Sequence, residues 1–239
     1  MRTSATTIDP GVTCGRYIHP VVSASRKVLC SIGAGPHAEL LEVSGATFAP
    51  FAARHGYDLC LRGEVLARDR PASWSKVQLV RALLRVYEVV LWIDADAAIV
   101  DGSVDVLDSL DPGSLMALVA HNTNEGDDPI PNAGVWLLRR DWKTQRFLAR
   151  VWRSTDYLHH KWWENAAILE LLGYELDPKV RLVRPAPMYF RTTFLGTEWN
   201  SIPLDSSPAP RICHFPAEPL AQRLTGLRGV STGWQRSEP

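Results

Sequence analysis

The chain has 239 residues, 46% hydrophobic and 22% charged, with 26 basic side chains balancing 26 acidic ones. That length and apolar content supply a substantial core and exclude a disordered chain, and zero net charge leaves no overall field to attract nucleic acid or an anionic membrane. Cys14, Cys30, Cys60 and Cys213 form no C-x-x-C pair, the N-terminus has no signal-like apolar core and no run reaches the roughly 18 apolar residues of a membrane span, so reduced thiols and a soluble cytoplasmic protein are expected.

Residues 1–25 are polar and broken by Pro10, Gly11 and Pro20, and read as a loose arm before a single domain over 26–239. KVLCSIGAG, 27–35, reads as a buried strand ending in glycines, and Pro36 suits the first turn of a helix through 37–56, broken near Pro50. YDLCLRG, 57–63, alternates as a second strand. SWSKVQLVRALLRVY, 73–87, sets Val77, Val80, Leu83, Leu84 and Tyr87 at helical spacing behind a serine cap. EVVLWI, 88–93, is then a third strand. The order β-α-β-α-β predicts an α/β fold: a central, mostly parallel sheet flanked by helices, with ligands beyond the carboxyl ends of the strands.

LMALVAHN, 115–122, and NAGVWLLRR, 132–140, read as further strands around the polar loop TNEGDDPIP. DWKTQRFLARVWRST, 141–155, is a helix capped by Asp141, and ENAAILELLGY, 164–174, a helix stopped by Gly173. From Asp177 onward the chain is proline-rich, with short strands.

The run VVLWIDADAAIV, 89–100, would be one buried strand but for Asp94 and Asp96. An unpaired buried carboxylate costs several kcal/mol, so each acid must reach water, a base or a cation. Spaced two apart in extended chain, both project from one face and suit a hard divalent cation, Mn2+ or Mg2+, completed by substrate phosphates. The plainer reading is a pair of turn aspartates.

The block SWSKVQLVRALLRVYEVVLWIDADAAIV resembles GT-A fold glycosyltransferases, in particular the retaining α-galactosyl-, α-mannosyl- and α-xylosyltransferases. NAGVWLLRR, KWWENAAILELL, WNSIP and CHFP resemble later segments of that family in the same order, so the likeness spans residues 27–216. The resemblance implies a metal held by Asp94, Asp96 and His214, and donor contacts from Ser31, Gly33, Trp74, Lys76, Ala95, Asn132, Ala133 and Gly134. It also implies a nucleotide-binding half over 26–100 and a sugar and acceptor half over 101–239. The donor implied is a nucleotide sugar, with uridine diphosphate the better guess, and the acceptor a small molecule, natural product or glycan. Without the membrane anchor of Golgi relatives, the chain resembles a soluble bacterial branch.

Each residue also has a simpler reading. Lys76 reaches a phosphate or is a surface lysine, and Trp74 walls a base pocket or anchors its helix. His214 is a ligand or a structural histidine. Asn132 and Gly134 suit recognition of a sugar hydroxyl with close ligand approach, or simply a turn. Glu164 and Asn165 stand where the family has an acid followed by Gln, and Glu164 is the carboxylate nominated near the anomeric carbon; otherwise it is a first-turn helix acid. One or two of Trp162, Trp163, Tyr189, Phe190 and Trp199 stack on sugar rings, and the rest are core. Two alternatives use similar sheets: a nucleotidyltransferase acting on a sugar phosphate, although SIGAGPHAE lacks the basic residues expected of its phosphate loop, and a non-catalytic nucleotide-sugar binder.

Overall fold

A computed structural model describes residues 26–234, so the arm expected over 1–25, with Cys14, lies outside the described residues. The elements run β1 (Lys27–Ile32), α1 (Ala38–His55), β2 (Asp58–Arg62), α2 (Ser75–Leu83), β3 (Val89–Ile93), β4 (Ala97–Ile99), β5 (Met116–His121) and β6 (Ile130–Arg139). They continue α3 (Trp142–Arg153), α4 (Trp163–Leu172), β7 (Tyr174–Glu175), β8 (Arg181–Leu182), β9 (Thr192–Leu195), β10 (Ile212–His214) and α5 (Leu220–Trp234).

Six strands form the main sheet in the order β2-β1-β3-β6-β5-β9. The β1–β2, β1–β3 and β5–β9 pairs are parallel, while β6 runs antiparallel to both β3 and β5. The sheet is therefore mixed but mostly parallel, with β6 alone reversed. That reversal carries the start of β6 to the same edge as the carboxyl end of β3.

Strand alternation sorts the core into two layers. Val28, Cys30, Val90, Trp92, Trp136, Leu138, Met116 and Leu118 face one way and pack with α2, α3 and α4 through Val77, Val80, Leu148 and Ile168. Leu29, Leu91, Ile93, Val135, Leu137, Ala117 and Val119 face the other way, against Phe48 and Phe51 of α1. This apolar coating on both faces is why the strands read as nearly continuous hydrophobic runs.

Several local expectations are met for their physical reasons. The Asp141 side chain accepts a hydrogen bond from the Lys143 N–H and opens α3, and α4 ends at a left-handed Gly173. Two are not. Pro50 does not break α1, which runs unbroken to His55. No serine caps α2; a short tight turn leads into it, and Ser75 Oγ instead accepts from the N–H groups of Leu66 at 3.1 Å and Ala67 at 3.0 Å.

The C-terminal segments, which read only as short strands, close the site edge of the sheet. β10 pairs antiparallel with β4, His214 opposite Ala97. α5 then packs over α1 and β4, with an Arg228–Glu39 ion pair between the two helices. Among the described residues no helix is long and apolar enough to cross a membrane.

Candidate active site

A cleft of about 490 Å³ opens where β1, β3 and the start of β6 meet α4 and the segment after β10. Asp94, Ala95 and Asp96 lie on its floor. They do not continue an extended strand: Ala95 and Asp96 form a turn closed by the Ala97 N–H on the Asp94 carbonyl at 3.1 Å. The carboxylates converge through this turn, not through strand alternation. Register then supplies the third group, because β10 lies against β4 and the Phe215 N–H bonds the Asp96 carbonyl at 3.0 Å. His214 Nε2 stands 3.2 Å from Asp96 Oδ1 and 3.7 Å from Asp94 Oδ2. One ligand atom from each of the three residues lies within 4.8 Å of the others.

Each carboxylate gives its other oxygen to a fixed cation. Asp94 Oδ1 accepts from Trp92 Nε1 at 2.7 Å and pairs with Lys76 Nζ at 3.0 Å. Asp96 Oδ2 accepts from Arg223 Nη1 at 2.9 Å. Burial works against the charge on Asp96, but His214 and Arg223 more than offset it and hold its pKa below the usual carboxylate range. Two oxygens and one imidazole nitrogen therefore face a common point with their outer partners already satisfied. This donor set fits a hard or borderline divalent ion.

Lys76 answers to neither of its two sequence readings. It is 5% exposed, so it is not a surface lysine. Its ammonium also reaches Glu164 Oε1 at 3.1 Å and the Ala133 carbonyl at 3.1 Å, so its three N–H groups are committed and none remains for a phosphate. Burial opposes its charge, yet Asp94 and Glu164 raise its pKa above the ordinary lysine value.

Glu164 is 4% exposed and lines the cleft, and its Oε2 is buried without a hydrogen-bond partner. Burial, reinforced by Asp94 and countered by Lys76, pushes its carboxyl above the usual range. The preceding Trp163 holds a φ of 45°, uncommon for a bulky side chain, at the turn that enters α4. Asn165 is otherwise engaged: its Oδ1 accepts from the Ala133 N–H at 3.0 Å and its Nδ2 donates to the Pro131 carbonyl at 3.1 Å. That amide bolts α4 to β6.

The cleft thus gathers Lys76, Asp94, Ala95, Asp96, Asn132, Ala133, Gly134, Glu164, Asn165 and His214. Three expected donor contacts are not part of its lining. Ser31 is fully buried in β1, and a Cβ at Gly33 would stand 2.4 Å from Leu41 Cβ, so that glycine serves helix packing. Trp74 is fully buried against Trp152, ring centroids 6.4 Å apart, and anchors its helix. What approaches Gly134 is the protein's own His214: a Cβ there would lie 2.3 Å from His214 Cε1. Of the aromatics, Trp162 and Trp163 line the cleft, whereas Trp199 is buried and Phe190 lies exposed elsewhere. Sequence reasoning missed His37, Pro216 and Arg223, all of which line it.

Residues 48–132 match the model of the galactosyl transferase GMA12/MNN10 family. A glycosyltransferase involved in glycosylation of the major capsid of PBCV-1 superposes with a TM-score of 0.62 at 14% identity, covering 84% of this chain and 99% of that one. The glycosyltransferase GlyE of Streptococcus pneumoniae TIGR4 superposes with a TM-score of 0.51 at 13% identity, over 88% of this chain; the chain spans only 64% of GlyE's length. No curated protein matches the chain significantly. The chain therefore has the GT-A fold of these glycosyltransferases, and residues 48–132 resemble the GMA12/MNN10 galactosyl transferase family.

Proposed function

We propose that the chain transfers a hexosyl or pentosyl unit from a nucleoside diphosphate sugar, with uridine as the base, to a hydroxyl of a small-molecule or glycan acceptor. One divalent cation, Mn2+ or Mg2+, takes part, held by Asp94, Asp96 and His214. The observation that carries this reading is the convergence of those three ligand groups, within 4.8 Å of one another, on the floor of the cleft. When bound, such a cation supplies positive charge to a departing diphosphate.

The protein's own groups prepare that event. Lys76 and Arg223 hold the two aspartates in place, so no reorganisation is needed when an anionic donor arrives. Glu164 lines the cleft with its buried Oε2 unpaired, and a hydroxyl of the transferred sugar is the partner we assign to it. Lys76 partly offsets the burial that raises the pKa of that carboxyl. Trp162 and Trp163 offer ring faces to the acceptor side of the cleft. Retention of anomeric configuration is what the family resemblance implies, through front-face attack by the acceptor hydroxyl or through a transient nucleophile, for which Glu164 is the carboxylate nominated.

Calorimetry of uridine and guanosine diphosphates and their sugars, with and without Mn2+, tests the reading. Uridine donors should bind only with metal. Asp96→Asn should abolish that binding while far-ultraviolet circular dichroism stays native; wild-type donor affinity in this variant would remove the metal site from the reaction.

A further inference from the structure

Beyond the three ligands, a buried chain of hydrogen bonds leads away from His214. Its Nδ1 lies 2.8 Å from Asn200 Oδ1. Asn200 Nδ2 donates to Asn132 Oδ1 at 3.0 Å, and that same oxygen accepts the backbone N–H of Gly134 at 2.7 Å. Asn200 is 0% exposed and His214 2%, so water does not substitute for these partners.

We propose that Asn200 is a positioning residue which fixes the proton of His214 on Nδ1 and so keeps Nε2 turned, with its lone pair, toward the cation site. The inference rests on the cation reading above. Its force comes from the far end of the chain. A side-chain amide can be turned over, but a backbone N–H is always a donor. The Gly134 N–H therefore dictates that Asn132 presents Oδ1. Facing an acceptor, Asn200 must present its NH2, which leaves its own Oδ1 toward the imidazole. An oxygen there requires a proton on Nδ1, and a neutral imidazole has only one. Turning over Asn200 would set two amide oxygens against each other. Turning over Asn132 as well would set its NH2 against the Gly134 N–H.

The fold delivers Asn200 to this place by backbone pairing. The Ser201 N–H bonds the Ile212 carbonyl and the His214 N–H bonds the Ser201 carbonyl, both at 2.8 Å, so the segment carrying Asn200 runs alongside β10. Gly134 contributes twice: its N–H polarises the relay, and its missing side chain leaves room for the imidazole. Asn132, expected from the sequence to bind a sugar hydroxyl, spends its oxygen on this relay. Partners of this kind around metal-bound histidines set both ring orientation and ligand basicity.

The test starts on the metal-free wild-type protein. Nitrogen-15 spectra of its imidazoles are recorded at a pH where they are neutral, with His214 assigned by signal loss in His214→Gln. An Nδ1–H tautomer is expected; an Nε2–H tautomer overturns the proposal whatever the protein does with metals. Mn2+ titration by calorimetry follows. Asn200→Ala, shown to be folded by circular dichroism, should bind Mn2+ about 10–100-fold more weakly. On a His214→Ala background it should cause no further loss, because the asparagine acts through the histidine. Wild-type Mn2+ affinity in Asn200→Ala, or an equal loss on both backgrounds, would reject the relay. A wild-type protein that ignores Mn2+ but shows the Nδ1–H tautomer would instead reject the cation reading and leave the hydrogen-bond order standing.

Discussion

Lys76 sits among Asp94, Glu164 and the Ala133 carbonyl, and removing its charge would leave two carboxylates sharing a buried space without a counter-ion. Breaking a buried pair in that way costs about 3–5 kcal/mol. Lys76→Met is expected to lose that much in denaturant unfolding, whereas a loss within about 0.5 kcal/mol would show the ammonium to be dispensable. Glu164→Gln keeps the shape of the side chain and removes its charge. Donor affinity should stay near wild type while kcat falls by a factor of about 100 or more, and an unchanged kcat would take Glu164 out of the reaction. The sequence made the acids, His214 and Glu164 legible, because a charge inside an apolar run demands an explanation and the flanking motifs supplied one. It did not reveal that Lys76 faces inward or that Trp74 is buried. Trp74 lies in the turn before α2 and Lys76 in its first turn, where the spacing of Val77, Val80 and Leu83 does not settle which way a side chain points.

Among the elements, α1 carries Pro50 without a break, although proline provides no N–H for the Ala46 carbonyl. The helix is held by Phe48 and Phe51 in the core and by Thr47, whose hydroxyl accepts the Ile99 N–H at 3.1 Å. Tertiary packing has outweighed local propensity. Pro50→Ala should restore the missing bond and stabilise the fold by about 1–2 kcal/mol after the extra freedom of the unfolded chain is subtracted. Thermal unfolding would show this as a higher Tm; a lower one would mean that the proline ring itself is packed. Apart from β4, the strands and helices through Leu172 were legible because their periods of two and 3.6 residues are long enough to recognise. β4, β10 and the approach to α5 were not, since three-residue strands have no measurable period and owe their existence to distant partners.

Across the whole molecule, equal numbers of acids and bases conceal buried charges whose balance depends on pH. Lys76 has a pKa raised in the folded state, so its contribution is complete below the unfolded lysine value, about 10.4, and is lost as pH rises through the folded one. Tyr57, whose hydroxyl donates to Asp105 Oδ1 at 2.8 Å, is also raised, by burial first and then by Asp105. The unfolded chain ionises this tyrosine first, at about pH 10, so its stabilisation fades over the same alkaline window. Denaturant midpoints should fall steeply above about pH 10, and less steeply in Tyr57→Phe; a midpoint equally steep in that variant would remove the tyrosine from the effect. The cleft draws Asp94 and Asp96 from before residue 100 and Asn132, Glu164 and His214 from after it.

The pairing of β10 with β4 also orders events in time. During synthesis the two aspartates emerge long before the histidine, and in a refolding chain the intervening segment must close as one long loop before the three meet. A partly made or partly folded chain thus carries the acids as an ordinary exposed pair, with no strong claim on the cell's manganese or magnesium. On the proposed cation reading, capture becomes a property of the finished fold, and the rate at which Mn2+ binding appears during refolding would time the docking of β10.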